Sequence, residues 1–237
     1  TNIIYTSVNQ YICKAFFYIK LKKYIFMYNT VLKDRVQAGL LLSEKLEKYK
    51  NSNSIILAVP RGGVPVGYVI AEKLHLPLDI VLAKKIGHPT NKEFAIGAVS
   101  ADSITIDEHP NVSQKYIQDE IIRLKQIMRE KYNFYRSNRQ PLGIKGKNII
   151  LVDDGIATGN TLLASIKMLR KRNPAKIIVA VPVIPYDTVP IFEENADEFV
   201  YLIASKYFTG VGGFYENFNQ VEDDEVIRLL NVTNPIE

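Results

Sequence analysis

The sequence has one cysteine, no tryptophan and three histidines in 237 residues. Cys13 alone excludes an internal disulfide, and no group of Cys and His residues has metal-ligand spacing. Basic residues exceed acidic ones by 30 to 25, which gives a formal charge of +5. This excess is small for a dedicated nucleic-acid-binding protein, but it favours anionic partners such as phosphorylated small molecules. The single cysteine agrees with a reducing compartment, so a cytoplasmic location is expected.

Residues 1–26 contain no acidic residue. Lysines interrupt their apolar runs, so no run is long enough to span a bilayer. They also lack the cleavage site of a signal peptide. Three interpretations stay open: a basic segment that touches a membrane surface, a helix docked on the body, or an extension outside the functional unit. We prefer the last, because a well-formed domain start follows Met27. The expectation is one domain over 27–237 and no stable membrane insertion.

From Met27 onward, continuous apolar runs alternate with helical patterns. This alternation predicts an α/β fold, in which a mostly parallel, twisted sheet carries helices on both faces and ligands lie beyond the carboxyl ends of the strands. A glycine-rich tail suggests a small hood or lid. The predicted strands are 54–60, 78–85, 147–154, 176–183 and 198–205, with a hairpin of 95–100 and 103–107. The predicted helices are one capped by Thr30 that ends near Asn51, then 66–76, one capped by Ser113, 161–172, and a last one that starts at 222–225.

The stretch "IILVDDGIATGNTLLASIKML" at 149–169 carries the strongest chemical signal. A strand ends at Val152, two acids follow, and small residues lead into a helix. Such a turn leaves backbone N–H groups uncovered beside the positive end of the helix, which is a site for a phosphate group. The lysine of a Walker loop and the GxGxxG of a dinucleotide fold are absent. A sugar phosphate would explain both acids, since carboxylates accept hydrogen bonds from sugar hydroxyls.

The segment "VDDGIATGNT" resembles the phosphoribosyl-pyrophosphate (PRPP) signature of type I phosphoribosyltransferases. In addition, "AVPRGGVPVG" resembles the pyrophosphate loop of that family, and "KKIGHPTNKEFAIGAVS" resembles its mobile loop. The likeness runs from about Met27 to the C-terminus. It is greatest to a bacterial subgroup whose acceptor is unassigned.

The resemblance implies roles for individual residues, among which five are candidate catalytic groups: Asp153, Asp154, Arg61, Lys84 and Lys85. The acid pair would bind the ribose 2′ and 3′ hydroxyls, and Lys84 or Lys85 would supply a further cation. Mg²⁺ would arrive mainly on substrate oxygens, without a dedicated protein metal site. The 5′-phosphate turn would be Ala157, Thr158, Gly159, Asn160 and Thr161, and the pyrophosphate loop would be Arg61, Gly62 and Gly63.

The implied reaction transfers the phosphoribosyl group from PRPP to a nitrogen of a small-molecule acceptor and releases pyrophosphate. Oxopurine-specific members carry an Asp where this sequence has Ala157, which weakens a hypoxanthine or guanine assignment and leaves the acceptor open. Homodimers are common in the family, so a homodimer is compatible with the sequence. Aromatic residues at 207–218 form either a stacking wall for a base or a packed lid.

A sensor that binds PRPP or a nucleotide without catalysis is the alternative. No nucleic-acid-binding module precedes the domain, and the helix face from Lys115 to Arg139 is the only candidate platform for nucleic acid. We interpret its charges, including Arg123, as a solvated face, which favours the enzyme and argues against nucleic acid as a partner.

Overall fold

The computed structural model describes residues 31–91, 94–100, 104–106, 111–136 and 139–233. The predicted extension 1–26, the boundary at Met27 and the predicted cap Thr30 lie outside these ranges. The helices are α1 (Arg35–Lys45), α2 (Gly63–Leu74), α3 (Gln114–Arg136), α4 (Asn160–Arg170), α5 (Val189–Asn195) and α6 (Asp223–Thr233). The strands are β1 (Ser54–Ala58), β2 (Leu78–Ile80), β3 (Lys84–Gly87), β4 (Ala95–Val99), β5 (Ile104–Ile106), β6 (Asn148–Val152), β7 (Lys176–Pro185) and β8 (Glu198–Ser205).

Five strands form a parallel sheet in the order β2, β1, β6, β7, β8. Successive side chains of a strand point to opposite faces, so each strand supplies both cores. Ile56 and Ala58 pack on one face with α2 and α6, whereas Ile55 and Leu57 pack on the other with α4 and Phe192 of α5. The predicted α/β fold, a mostly parallel sheet with helices on both faces, is confirmed.

The prediction of one continuous strand at 78–85 is wrong. The chain leaves the parallel sheet after Ile80, and β3 begins at Lys84 in a separate antiparallel sheet of order β3, β4, β5. The break follows from a side chain: Leu82 donates its N–H to the hydroxyl of Tyr132 at 2.8 Å instead of to a neighbouring strand. The predicted hairpin of β4 and β5 is confirmed.

The first helix begins later than predicted. Asp34 caps α1, because its carboxylate accepts the N–H of Gln37 at 2.8 Å. Leu32 precedes the helix and pairs with the C-terminal part of the chain: its N–H donates to Phe214 and its carbonyl accepts from Glu216, each at 2.8 Å. Residues 31–34 and 206–220 together are called the hood below. The expected small lid region corresponds to this hood.

The long helix α3 is fixed against the edge of the parallel sheet. Ser113 caps it as predicted, since its hydroxyl accepts the N–H of Tyr116 at 3.2 Å. Near the other end, Arg136 donates to both carboxylate oxygens of the buried Asp79, at 2.8 and 2.9 Å. Two-point pairing of this kind fixes direction as well as distance. The C-terminal half of α3 is therefore held beside the segment that joins the two sheets.

No helix in the described ranges is both long enough and apolar enough to cross a bilayer.

Candidate active site

The candidate site lies where the strand order of the parallel sheet reverses. The chain passes from β1 outward to β2, then returns to place β6 on the other side of β1. The two loops that leave β1 and β6 therefore diverge from adjacent strand ends, which opens a crevice at their carboxyl edge. They start side by side, because Ala58 pairs with Val152 and the N–H of Val59 donates to the Val152 carbonyl at 2.8 Å.

The loop after β6 ends in a turn whose N–H groups have no side-chain cap. Gly159 occupies the position before α4 with φ of 75°, a left-handed conformation that favours glycine. A Cβ there would also lie 2.9 Å from the ring of Phe192. The first N–H groups of a helix lack intrahelical partners and lie at its positive end, so an anion is well placed there. Thr158, Asn160 and Thr161 are exposed at this turn.

The two acids at the end of β6 face different surroundings. Asp153 lines the cleft, and one of its carboxylate oxygens accepts the N–H of Asp154 at 2.9 Å. Asp154 turns toward α1, where its Oδ2 accepts from Nε and Nη2 of Arg35 at 2.9 and 2.8 Å. Only about a tenth of each of these two side chains is exposed, at 11% for Arg35 and 14% for Asp154. The acid pair thus consists of one carboxylate in the cleft and one in a nearly buried ion pair.

Burial raises the pKa of the Asp153 carboxyl well above its ordinary value, and repulsion from Asp154 adds to the shift. Burial also raises the pKa of Asp154, although the positive charge of Arg35 opposes this effect. Burial beside Asp154 likewise raises the pKa of Tyr215, whose hydroxyl donates to the Asp154 carbonyl at 2.7 Å. Concentrated negative charge is therefore costly at this point of the fold, and a ligand that brings donors or cations would relieve it.

Arg35 joins the acid pair to the hood. Its Nη1 donates to the carbonyl of Asn219 at 2.8 Å, and its guanidinium lies 3.9 Å from the centre of the Phe218 ring. Phe218 in turn stacks on Tyr215 with ring centres 5.0 Å apart. One side chain thus contacts the β6 loop and the hood at once.

The loop after β1 packs so closely on the acid pair that its glycines leave no room for side chains. A Cβ on Gly62 would lie 2.0 Å from Oδ2 of Asp154, and one on Gly63 would lie 2.8 Å from the Val152 carbonyl. The peptide bond before this pair, Pro60–Arg61, is cis. Arg61 itself lies toward α6, with Nη1 3.8 Å from the carboxylates of both Glu222 and Asp223.

A cleft of about 600 Å³ opens between the β6 loop, the start of β3 and helix α3. It brings together six of the predicted site residues: Asp153, Thr158, Asn160, Thr161, Lys84 and Lys85. Lys84 and Lys85 lie at the start of the antiparallel sheet rather than at the end of a parallel strand. Ala157 and Gly159 lie within the turn beside it, and Gly62 and Gly63 lie against the acid pair.

Helix α3 forms the far wall of this cleft. Of the basic residues interpreted as a solvated face, Lys115, Arg123 and Arg129 are exposed, and Arg123 lines the cleft as well. Arg123 and Lys131 both line the cleft, above the buried Leu124 and Met128. Arg123 is held by Glu120 through two hydrogen bonds of 2.6 and 2.8 Å. A helical pattern alone does not reveal this arrangement, because it identifies the buried face but not what the flanks of that face adjoin.

The aromatic residues of the hood pack mainly against one another. Phe208 stacks on Phe214 with ring centres 5.4 Å apart, and Tyr215 stacks on Phe218. Tyr207 is 91% exposed. Of the two interpretations of this segment, the packed lid accounts for four of its five aromatic rings.

The side chains of the cleft lining that could bind a metal ion are carboxylates rather than imidazoles or thiols. Asp153 and Glu120 are the two acids of the cleft lining. Among the residues that the structure describes, no three His, Cys, Asp or Glu side chains are grouped so that they could hold a metal ion. One or two carboxylates together with substrate phosphates fit the way proteins bind Mg²⁺.

Comparison with known proteins gives a consistent result. Residues 35–205 match the model of the phosphoribosyl transferase domain. Two Mycobacterium tuberculosis proteins, Putative phosphoribosyl transferase MT0597 and Putative phosphoribosyl transferase Rv0571c, are each 34% identical over an alignment of 203 residues that covers 84% of this chain. The match covers 46% of the length of those relatives. The crystal structure of TT1426 from Thermus thermophilus is 34% identical with a TM-score of 0.79, covering 86% of this chain and 99% of that one.

The raised pKa of Asp153 predicts how the stability of the ligand-free protein depends on pH. The folded state holds a proton on this carboxyl more tightly than the unfolded state, so the free energy of unfolding falls as pH rises above the ordinary Asp value of about 4. We expect Asp153→Asn to flatten this slope and to raise the melting temperature at pH 7. Thermal unfolding from pH 4 to 8 measures both the slope and the melting temperature, with the exposed Asp119→Asn as the matched control. An unchanged slope in Asp153→Asn would contradict the shift.

Removal of the Arg35 guanidinium should destabilise the protein. Arg35→Met leaves the carboxylate of Asp154 nearly buried without its cation, which costs roughly 3–5 kcal/mol for a pair of this kind. We expect Arg35→Lys to restore part of the loss, because one charge remains but not the two-point geometry. Chemical denaturation measures the free energies of unfolding. The exposed pair of Lys50 and Glu47 provides the control, since Lys50→Met should cost less than about 1 kcal/mol.

Proposed function

Since this chain belongs to the phosphoribosyltransferase family, we propose that it transfers the 5-phosphoribosyl group of PRPP to a nitrogen acceptor and releases pyrophosphate. The observation that carries the proposal is the cleft at the reversal of strand order, which joins a phosphate turn, a carboxylate and cationic side chains. A ligand with a phosphate, sugar hydroxyls and a second anionic group matches this order of residues. The acceptor is a nucleobase or a related small molecule.

Binding begins with the 5′-phosphate. Its oxygens accept from the uncapped N–H groups of the turn Ala157–Thr161 and from the hydroxyls of Thr158 and Thr161, at the positive end of α4. The exposure of this turn in the structure supports that role, since nothing within the helix uses these N–H groups. The phosphate fixes one end of the donor and directs its ribose toward β6.

The acid pair positions the ribose. Asp153 accepts from a ribose hydroxyl within the cleft, and Asp154 contributes through Oδ1, since Arg35 occupies Oδ2. These carboxylates also lie where positive charge develops on the sugar as the bond to pyrophosphate breaks. The surrounding protein therefore stabilises the transition state chiefly by fixed charge and alignment.

The chemical step exchanges one bond at C1 of the ribose. The lone pair of the acceptor nitrogen forms the new C1–N bond, while the C1–O bond breaks and its electron pair leaves with pyrophosphate. The acceptor nitrogen then gives up its proton to solvent. Lys84, Lys85 and Arg61 neutralise the departing group, for which Arg61 must turn from Glu222 and Asp223.

In this proposal Asp153, one of the two acids of the cleft lining, would hold Mg²⁺ together with oxygens of PRPP. The ion would supply charge neutralisation on the pyrophosphate oxygens. The two antiparallel strands β3 and β4 and their connecting loop would close over the bound donor and keep water from the cationic sugar.

A sensor without catalytic activity is the second candidate, and one observation favours it. Arg61, the predicted cation of the pyrophosphate loop, lies beside Glu222 and Asp223 at the start of α6 instead of lining the cleft. If Arg61 stays there, PRPP would bind without efficient departure of pyrophosphate. Binding without turnover is the property that separates the two functions.

The decisive experiment is Mg²⁺-dependent release of pyrophosphate from PRPP with a panel of purine and pyrimidine bases and small amines. We expect release with at least one acceptor, and a loss of at least about 100-fold in Asp153→Asn/Asp154→Asn, because both ribose-binding carboxylates lose their charge. The control is the exposed Asp119→Asn, which should match the wild type. Binding of PRPP without consumption of any acceptor would favour the sensor, and no binding of PRPP would refute both candidates.

A further inference from the structure

We propose that Lys131 binds the pyrophosphate group of the donor. Its positive charge lies on the α3 side of the cleft, across from the entry to the glycine loop Arg61–Gly63. This inference rests on the proposed use of PRPP and adds a residue to which the sequence resemblance gives no role. It follows from the position of Lys131, from the balance of charge in the cleft and from the separate binding of the 5′-phosphate.

The backbone of Lys131 is held firmly at the cleft. The next residue, Tyr132, accepts the N–H of Leu82 at 2.8 Å, and the guanidinium of Arg136 lies 4.2 Å from the centre of the Tyr132 ring. Leu82 directly precedes the segment of Ala83 and Lys84 that lines the same cleft. The backbone of Lys131 is therefore fixed beside the cleft. Its long flexible side chain allows the ammonium group to reach ligands at different positions in the cleft.

This part of α3 also shares the cleft with the entry to the glycine loop. Pro60, which leads into that loop, lines the cleft together with Lys131. About one helical turn further along α3, Tyr135 donates its hydroxyl to Asp223 at 2.6 Å. Asp223 is one of the two acids that lie 3.8 Å from Arg61. Lys131 and the entry to the loop thus lie on one cleft, and Tyr135 and Asp223 connect α3 to Arg61.

The charges in and beside the cleft also indicate that Lys131 binds the pyrophosphate end of the donor. Arg61 faces two acids and Arg123 is paired with Glu120, so the charge of each is partly compensated. Lys131 and Lys84 have no ion pair with any residue in the described ranges, although both line the cleft. An anion placed between them would meet positive charge that the protein leaves uncompensated.

The 5′-phosphate does not need Lys131, because the uncapped N–H groups at the start of α4 bind it from the other side of the cleft in the proposed function. The pyrophosphate group carries more negative charge than the 5′-phosphate and would leave the reaction as an anion. The cations that stabilise it should come from the walls around it, since a single loop of small residues supplies mainly N–H groups. Lys131 and Lys84 match that requirement.

Calorimetric titration of the wild type and of Lys131→Met with three ligands tests the inference: PRPP, inorganic pyrophosphate and ribose 5-phosphate, all with Mg²⁺. We expect Lys131→Met to bind PRPP and pyrophosphate about tenfold more weakly and ribose 5-phosphate within about twofold of the wild type. Lys131→Arg should retain most of the affinity. Lys125→Met, on the same helix but outside the cleft lining, is the matched control and should bind all three ligands as the wild type does.

The outcomes separate this inference from the proposed function. If the wild type binds PRPP and Lys131→Met binds all three ligands unchanged, or loses all three equally, the inference is wrong and the proposed function stands. An equal loss in Lys125→Met would mean that only the general field of the helix matters, which also overturns the inference. If the wild type binds pyrophosphate but not PRPP, and only Lys131→Met weakens that binding, the anion site stands and the proposed function fails.

Discussion

The ion pair between Arg35 and Asp154 is the interaction on which the geometry of the site depends. Two hydrogen bonds to one carboxylate oxygen fix the position of Asp154, and Gly62 packs directly against that oxygen. The same guanidinium contacts the hood through Asn219 and Phe218. Four segments that are distant in sequence thus meet at one charge pair, and displacement of any one of them would affect the other three.

This constraint divides the acid pair between two tasks. Asp154 is nearly buried and locates the surrounding loops, whereas Asp153 lines the cleft and forms no ion pair within the part of the chain that the structure describes. Adjacent carboxylates at the end of a strand repel each other, and the buried ion pair limits that repulsion. The site therefore has the Asp153 carboxylate in the cleft without two uncompensated charges side by side.

The sequence predicted the parts of this structure that depend on local pattern. Apolar strands and helices indicated the fold class, and the turn at 153–161 indicated the candidate phosphate site, because strand, small residues and helix are contiguous there. Contacts between segments that are distant in sequence could not be predicted from local pattern. The contacts of Arg35 and the proposed role of Lys131 depend on where α1 and α3 pack, and an arginine or lysine at a helix surface has no local signal for that. The break after Ile80 was missed because it depends on a hydrogen bond to Tyr132, far along the chain.

The hood has a consequence for the order of folding during synthesis. Arg35 is made before its partners Asp154 and Asn219, which follow 119 and 184 residues later. At roughly 5–20 residues per second, the last of these contacts must wait on the order of 10–40 s after Arg35 leaves the ribosome tunnel. The parallel sheet can form before then, since β8 ends at Ser205. A nascent chain would accordingly contain a nearly complete sheet while its candidate site still lacks the hood, so a ligand that needs the complete site could bind only after residues 206–220 have been made.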